Sequence, residues 1–521
     1  MAFAIVPAGH MRYASAVPAA CKLRGHAWRC LWPRRSTREE LVDGEREGSR
    51  NGRDTERRLG VPAEQNGHAG GATAVEQAAR DHVWIHQLPW AEFESDNLRI
   101  FDRGEGARLY DVHGREYLDG IAGLWVVNAG HGRREIAQAY ADQAARLGYA
   151  SAMTYTTTPA VKLAEKLAEL APGDLSRLFF VSGGSEAVET AIKIAKQVQA
   201  MRGFPKRYKI IARRRSYHGM TYGAMSVTAT RNETWFGPFM YGVYHVPHPD
   251  RYRSDFGLEG EEADLMAARF VEQEIVNQGP ETVAAVIGEP ISTAAGVHVP
   301  SPKYWQLLRE ICDRHGVLLI ADEVINGFGR TGTMFATEQF AFVPDIMTMA
   351  KGLSSGYAPI AAAIVRESVY DVFKENKEAA MGHLLTFGGH PAACAAALQN
   401  LEIFERENLV TQSAEKGNYL KSRLEELRAH PTVGDVRGLG LMCGIDLVKN
   451  KETRESWGKT ATFTARLGEL ALQRGLVTRV WDVMHFAPPL VMSEAEIDRM
   501  VEIADESLTI AEREFAFEIN A

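Results

Sequence analysis

Three apolar runs in this chain each end on a charged residue that a core could not hold. Ala284-Ala285-Val286-Ile287 runs into Gly288-Glu289-Pro290, and Val317-Leu318-Leu319-Ile320-Ala321 runs into Asp322-Glu323. Asp345-Ile346-Met347-Thr348-Met349-Ala350 runs into Lys351 and then breaks into Gly352-Leu353-Ser354-Ser355-Gly356. A charge at the end of a buried strand must be solvated, paired or used. In open α/β sheets, ligands bind just beyond the carboxyl ends of parallel strands. Glu289, Asp322 and Lys351 are therefore expected to meet in one site.

Ser182-Gly183-Gly184-Ser185-Glu186-Ala187 follows a further apolar run ending at Val181. It opens a segment whose apolar residues, Ala187, Ala191, Ile194, Ala195 and Val198, have helical spacing. Glycines let the backbone approach a ligand, and the first amides of a helix are unpaired donors with partial positive charge. A phosphate would sit there, with the Ser185 hydroxyl as a further donor. The same block also reads as a plain strand-to-helix turn capped by Ser185. It is neither a P-loop, since no Gly-Lys-Ser/Thr follows, nor a GxGxxG fingerprint. In Arg215-Ser216-Tyr217-His218-Gly219, Tyr217 could stack on a flat ring or be an ordinary core or surface tyrosine. Asp322 could pair with a cationic ring nitrogen or cap the turn after it. Together the four parts become specific. A phosphate seat, a stacking aromatic, an acid for a ring nitrogen and a lysine for an aldehyde are what pyridoxal 5'-phosphate needs.

Positioning these residues calls for alternating strands and helices. Strands are expected over 178–181, 209–212, 284–287 and 317–321, with helices over 159–170, 186–200 and 303–315. That alternation predicts a mostly parallel sheet with helices on both faces. Residues 108–119 read as two short strands around a His-Gly turn. After Phe387 the texture changes to helices over 392–403 and 414–428 and strands near 441–448 and 476–480, a second, α+β domain.

At 521 residues the chain can bury large cores, and 45% apolar with 24% charged content suits a globular enzyme. A net charge of −8 leaves no footprint for nucleic acid or an anionic membrane. No apolar run approaches the ~20 residues that span a bilayer. Five scattered cysteines form neither zinc pairs nor a disulfide framework, which suits a reducing cytosol. Order is expected from about Asp81. Positions 1–38 hold seven Lys or Arg and no acid, as in a transit peptide, but the stretch then turns acidic and shows no amphipathic helix. Residues 1–80 are therefore expected to be a disordered leader, including one read from a start site too far upstream.

Over residues 83–510 the sequence resembles the class III pyridoxal-phosphate aminotransferases of fold type I, in the ω-amino acid and amine:pyruvate branch. The block that carries the likeness is Leu319-Ile320-Ala321-Asp322-Glu323-Val324, Gly327-Phe328-Gly329-Arg330-Thr331-Gly332, Pro344-Asp345 and Ala350-Lys351-Gly352. The resemblance implies a large cofactor domain over 131–386 and a smaller α+β domain built from 81–130 and 387–521. It implies that Lys351 condenses with the cofactor aldehyde, that Asp322 pairs with the pyridine nitrogen, and that Val324 packs on the ring opposite Tyr217. Gly184 and Ser185 match the phosphate seat, and Glu289 a carboxylate that supports the site by hydrogen bonding. Thr386, in Leu385-Thr386-Phe387-Gly388, matches a threonine that reaches the phosphate in the neighbouring subunit. A homodimer or dimer of dimers is thus implied. Trp125 matches an aromatic walling the amine pocket, although a core role fits it equally.

Relatives acting on ornithine, acetylornithine or γ-aminobutyrate carry a glutamate shortly after the Glu-Pro pair, where this chain has Ala294. The ω-amino acid branch instead uses a mobile arginine, which Arg479 matches in Leu476-Val477-Thr478-Arg479 ahead of Ala487-Pro488-Pro489. A guanidinium can grip a carboxylate through two parallel hydrogen bonds and swing away for an apolar amine. Arg437 reads as structural. The expected reaction moves an amino group from an amine or ω-amino acid, such as β-alanine or taurine, to pyruvate or a similar 2-oxo acid by ping-pong kinetics. Diaminopelargonate synthesis, an aminomutase, racemase or decarboxylase reaction, and a non-catalytic protein on the same scaffold are the alternatives.

Overall fold

The computed structural model describes residues 68–88, 98–229, 233–458 and 461–519. The expected leader lies outside them up to position 67. Its last part, His68–His82, is a helix, so order begins ahead of Asp81. The run is rich in alanine, the best helix former, and Glu76 is held by His113 Nε2 at 2.8 Å. Nothing in its sparse apolar pattern marks it as structured.

Near the N-terminal end, β1 (Phe101–Glu105), β2 (Arg108–Asp111) and β3 (Glu116–Asp119) form an antiparallel meander. The central sheet follows: β4 (Leu175–Val181), β5 (Lys209–Arg213), β6 (Val243–Val246), β7 (Val283–Gly288), β8 (Leu318–Asp322), β9 (Ile346–Met349) and β10 (Ala361–Arg366). Its order is β4-β10-β9-β8-β7-β5-β6, and β10 alone runs antiparallel to its neighbours. A last group comprises β11 (Val433–Gly438), β12 (Cys443–Asn450), β13 (Glu455–Ser456), β14 (Leu476–Val477) and β15 (Val483–Phe486). β14 pairs in parallel with β3, joining segments from opposite ends of the chain in one sheet.

Side chains alternate across a strand, and β8 shows both faces covered. Leu319 and Ala321 pack with the helices Gly260–Gln278 and Pro302–His315, while Leu318 and Ile320 pack with the helix Gly184–Met201. Each fully buried aliphatic side chain contributes about 1.5–3 kcal/mol to holding those layers together. The Pro302–His315 helix starts with proline in its first turn and stops at Gly316, whose φ of 63° is left-handed. The strand expected over 476–480 ends at Val477, because the chain turns back there. Val480 bridges to Met484, and the His485 amide donates to the Arg479 carbonyl at 3.0 Å. That turn carries Arg479 into the site.

Candidate active site

The carboxyl ends of β7, β8 and β9 lie side by side, as Gly288 pairs with Ala321 and Asp322 with Thr348. Asp322 is buried and fixed from three sides. Thr348 Oγ1 donates to its Oδ1 at 3.0 Å, the Val324 amide to the same oxygen at 3.1 Å, and His218 Nδ1 lies 2.6 Å from Oδ2. His218 appears in the sequence only as part of a motif with Tyr217. Its bond to Asp322, across 104 positions of sequence, becomes visible in the fold.

Glu289, also buried, organises the neighbouring loop. Its Oε2 accepts from Arg213 Nη2 at 2.8 Å and its Oε1 from the Tyr217 amide at 3.0 Å. Arg213, at the end of β5, is buried with it, so this pair sets the start of the loop that carries Tyr217 and His218. Ser185 lies in the first turn of the Gly184–Met201 helix, where its Oγ accepts from the Met220 amide at 3.1 Å. The hydroxyl proton thus remains available to a ligand. Two glycines are required for this arrangement. A Cβ on Gly219 would come within 2.8 Å of Ser185 Cα, and one on Gly184 within 2.9 Å of Val324 Cγ1. Val324 packs in a small cluster with Val181, Ala187, Ala350 and Ala361.

Lys351 is partly buried, and its Nζ lies 5.6 Å from the centre of the Trp125 ring. Among the described residues it has no salt-bridge partner. Burial pushes its amine down to about 8, with Arg479 and Arg330 adding to the effect and Asp322 opposing it. Lys351 (φ 47°) and Trp125 (φ 56°) both adopt the left-handed backbone region, which bulky residues avoid unless the surroundings force it. Trp125 is buried, meets His485 edge-on at 5.5 Å, and its Nε1 has no hydrogen-bond partner.

The Arg479 guanidinium stacks 3.2 Å from the Trp481 ring centre and 5.2 Å from that of Trp125. Its Nε is buried without a hydrogen bond, and no carboxylate salt-bridges it among the described residues. Burial pushes it down to about 10, against the pull of Asp482 and Tyr217. Arg437, by contrast, is spent on structure. It donates to Asp446 at 2.8 Å, Asp435 at 3.1 Å and the Gly296 carbonyl at 2.7 Å. Thr386 is not brought to this group. It is exposed, and its carbonyl accepts from the Tyr149 hydroxyl at 2.9 Å.

Arg330 gains a role that its glycine-rich loop did not reveal. Buried, it donates to Asn128 Oδ1 at 2.6 Å, to the Leu441 carbonyl at 3.0 Å and to the Pro488 carbonyl. It thereby ties three distant segments together behind Lys351.

These parts suit pyridoxal phosphate on the chemistry of the donor set. An amine with a lowered pKa, a fixed carboxylate, a helix start with an available hydroxyl, and buried Trp125 and Arg479 nitrogens lacking partners are all present. The family described as aminotransferase class-III matches residues 91–508. The chain belongs to the class III aminotransferases. Members of this family are pyridoxal-phosphate-dependent, and so is this enzyme. This aminotransferase is 37% identical to the putrescine–pyruvate aminotransferase of Pseudomonas aeruginosa, over 82% of its own length and 94% of the relative's. It is 38% identical to the taurine–pyruvate aminotransferase of Bilophila wadsworthia, over 84% and 97%. Its fold matches the (S)-enantioselective omega-transaminase of Thermomicrobium roseum with a TM-score of 0.82 at 38% identity, over 84% of this chain and 99% of that one.

Proposed function

We propose that this aminotransferase moves an amino group from an amine or ω-amino acid, of the β-alanine, taurine or diamine kind, to pyruvate or a similar 2-oxo acid. The observation that carries the substrate class is Arg479. A buried guanidinium stacked between tryptophans, with an unbonded Nε and no carboxylate partner, is a seat for a substrate carboxylate. The lysine-side chemistry supports the same reading. Pyridoxal phosphate, when bound, supplies the electron sink that makes the amino-bearing carbon acidic. Lys351 would hold the cofactor aldehyde and, as a free amine of lowered basicity, its Nζ would move the proton. Asp322 faces the ring nitrogen, and His218 and Thr348 hold it in that orientation. Gly184 and Ser185 receive the phosphate, and Tyr217 and Val324 cover the two ring faces. Glu289 positions Tyr217 through its amide. Trp125 walls the substrate side.

Thr386 completes the phosphate seat of a second copy in a homodimer, which agrees with its exposure on a single chain. No helix among the described residues is long and apolar enough to cross a membrane. The cytoplasm is the proposed compartment, and neither nucleic acid nor membrane is a proposed partner. A donor panel with pyruvate as acceptor, scored by alanine formation, tests the reading. Turnover with β-alanine, taurine, putrescine or a simple amine supports it, and no alanine from any of these donors overturns it.

A further inference from the structure

Three residues that transamination does not use meet at one buried point. His248 and Asp250 follow β6, and His298 lies in the segment after β7 that pairs back on Ser292. All three are more than nine-tenths buried. His248 Nε2 lies 3.9 Å from Asp250 Oδ2, and His298 Nδ1 lies 3.5 Å from Asp250 Oδ1. One ligand atom from each falls within 4.8 Å of the other two.

The hydrogen bonds leave lone pairs facing inward. His298 Nε2 lies 3.1 Å from the Ala295 carbonyl, which can only accept, so Nε2 carries the proton and Nδ1 presents its lone pair. His248 Nε2 is buried and has no hydrogen-bond partner. Burial holds His248 down to about 3 and His298 well below the ordinary imidazole range, which keeps both in the neutral, ligating form. Asp250 is fixed because its Oδ1 accepts from the Tyr252 amide at 3.0 Å and the Arg253 amide at 2.8 Å. Its Oδ2 is left for another partner.

Cationic neighbours decide whether an ion could enter. Arg437 is committed to Asp435 and Asp446, and Arg213 to Glu289. Arg215 is the one that faces Asp250 Oδ2, at 3.7 Å, and its side chain is half exposed. It closes the cluster towards solvent and is free to swing out.

We propose that His248, Asp250 and His298 form a site for a borderline divalent transition-metal ion, Zn²⁺ above all, with Arg215 as its displaceable cover. Two imidazoles and one carboxylate suit zinc, whereas Ca²⁺ and Mg²⁺ require more oxygens. Zinc–nitrogen bonds of about 2.0–2.1 Å place tetrahedral ligands roughly 3.3–3.4 Å apart, so the three side chains, whose ligand atoms lie within 4.8 Å of one another, must draw in around a bound ion. A fourth position remains for water. An ion there would tie the segments after β6 and β7 together, beside the loop that carries Tyr217.

The test uses the holoenzyme, stripped with a chelator, loaded with ZnCl₂, desalted, and assayed for bound metal by mass spectrometry. Wild type should retain about one zinc per chain more than His248→Gln or His298→Gln. Zinc should raise its unfolding temperature and leave that of the two variants unmoved. Arg215→Met should bind zinc several-fold to roughly tenfold more tightly, since a repelling charge is removed. Equal zinc in wild type and the histidine variants overturns the proposal. Should those variants fail to fold, Arg215→Met decides: unchanged zinc affinity overturns it, and tighter binding upholds it.

Discussion

Lys351 shows how one side chain acquires its chemistry from its surroundings. Its sequence position marks it as a charge at a strand end, but the value near 8 comes from burial beside Trp125, Arg479 and Arg330. Burial favours the neutral amine, so the nucleophilic form grows as pH rises, reaches half at about 8 and levels roughly a unit above that. Covalent capture of pyridoxal phosphate by the apo-protein, trapped with borohydride and mapped to the Lys351 peptide, should rise with a midpoint at about pH 8 and level roughly a unit above it. A rise continuing past pH 10 would show an ordinary exposed lysine. Lys351→Ala should lower turnover by at least about 10²–10⁴-fold while retaining non-covalent cofactor binding. Arg479→Ala should cut kcat/KM for pyruvate about 30- to 1000-fold, the worth of a desolvated bidentate contact of roughly 2–4 kcal/mol. Simple amines lacking a carboxylate should be spared in their own half-reaction, followed by stopped-flow absorbance. Equal loss in both half-reactions would assign Arg479 to the fold.

At the scale of elements, the site is a set of loops aligned by the central sheet. The strand ends were legible because a short apolar run closed by a charge is what a strand buried on both faces looks like in sequence. β10 was not, since Ala361-Ala362-Ala363 carries no strand signature, and its antiparallel place between β4 and β9 is a tertiary choice. The approach of the Tyr217 loop to the phosphate-seat helix is also tertiary, and Gly219 carries it. Its φ of 127° and its contact with Ser185 leave no room for a side chain. Gly219→Ala should raise the dissociation constant for cofactor by about 10- to 100-fold, the cost of roughly 1–3 kcal/mol of strain. A reconstitution titration checks this. Glu289→Ala should be worse for the fold, because Arg213 would be left as a buried, unpaired cation. About 3–5 kcal/mol of stability is at stake, read as a large fall in unfolding temperature.

For the whole molecule, one chain leaves the proposed phosphate seat short of Thr386. The exposed surface near that residue includes Tyr149, Leu384 and Phe387, with Tyr149 meeting Phe387 edge-on at 6.5 Å. Mixing two inactive forms tests whether Thr386 acts across a dimer. Lys351→Ala chains carry an intact Thr386, and Thr386→Ala chains carry an intact Lys351. If the threonine serves the partner's site, hybrids hold one site with both residues, and cofactor affinity and turnover return on mixing. If it serves its own chain, no hybrid site is complete and mixing restores nothing.

By itself the sequence determined the class of chemistry. Lys351, Asp322, Glu289 and the Gly184-Ser185 turn are local signals, each a break in an apolar period that a buried strand or helix cannot tolerate without a purpose. Partners distant in the chain were decided only by the tertiary structure. His218 on Asp322, Arg213 on Glu289, Arg330 on Asn128 and Arg479 beside Trp125 are contacts between segments up to about 350 positions apart, and no local period records them. The turn after β14 makes the same point. A run that reads as strand through Val480 stops at Val477 because pairing with β15 offers its backbone a better set of hydrogen bonds, and that reversal is what aims Arg479 at the site.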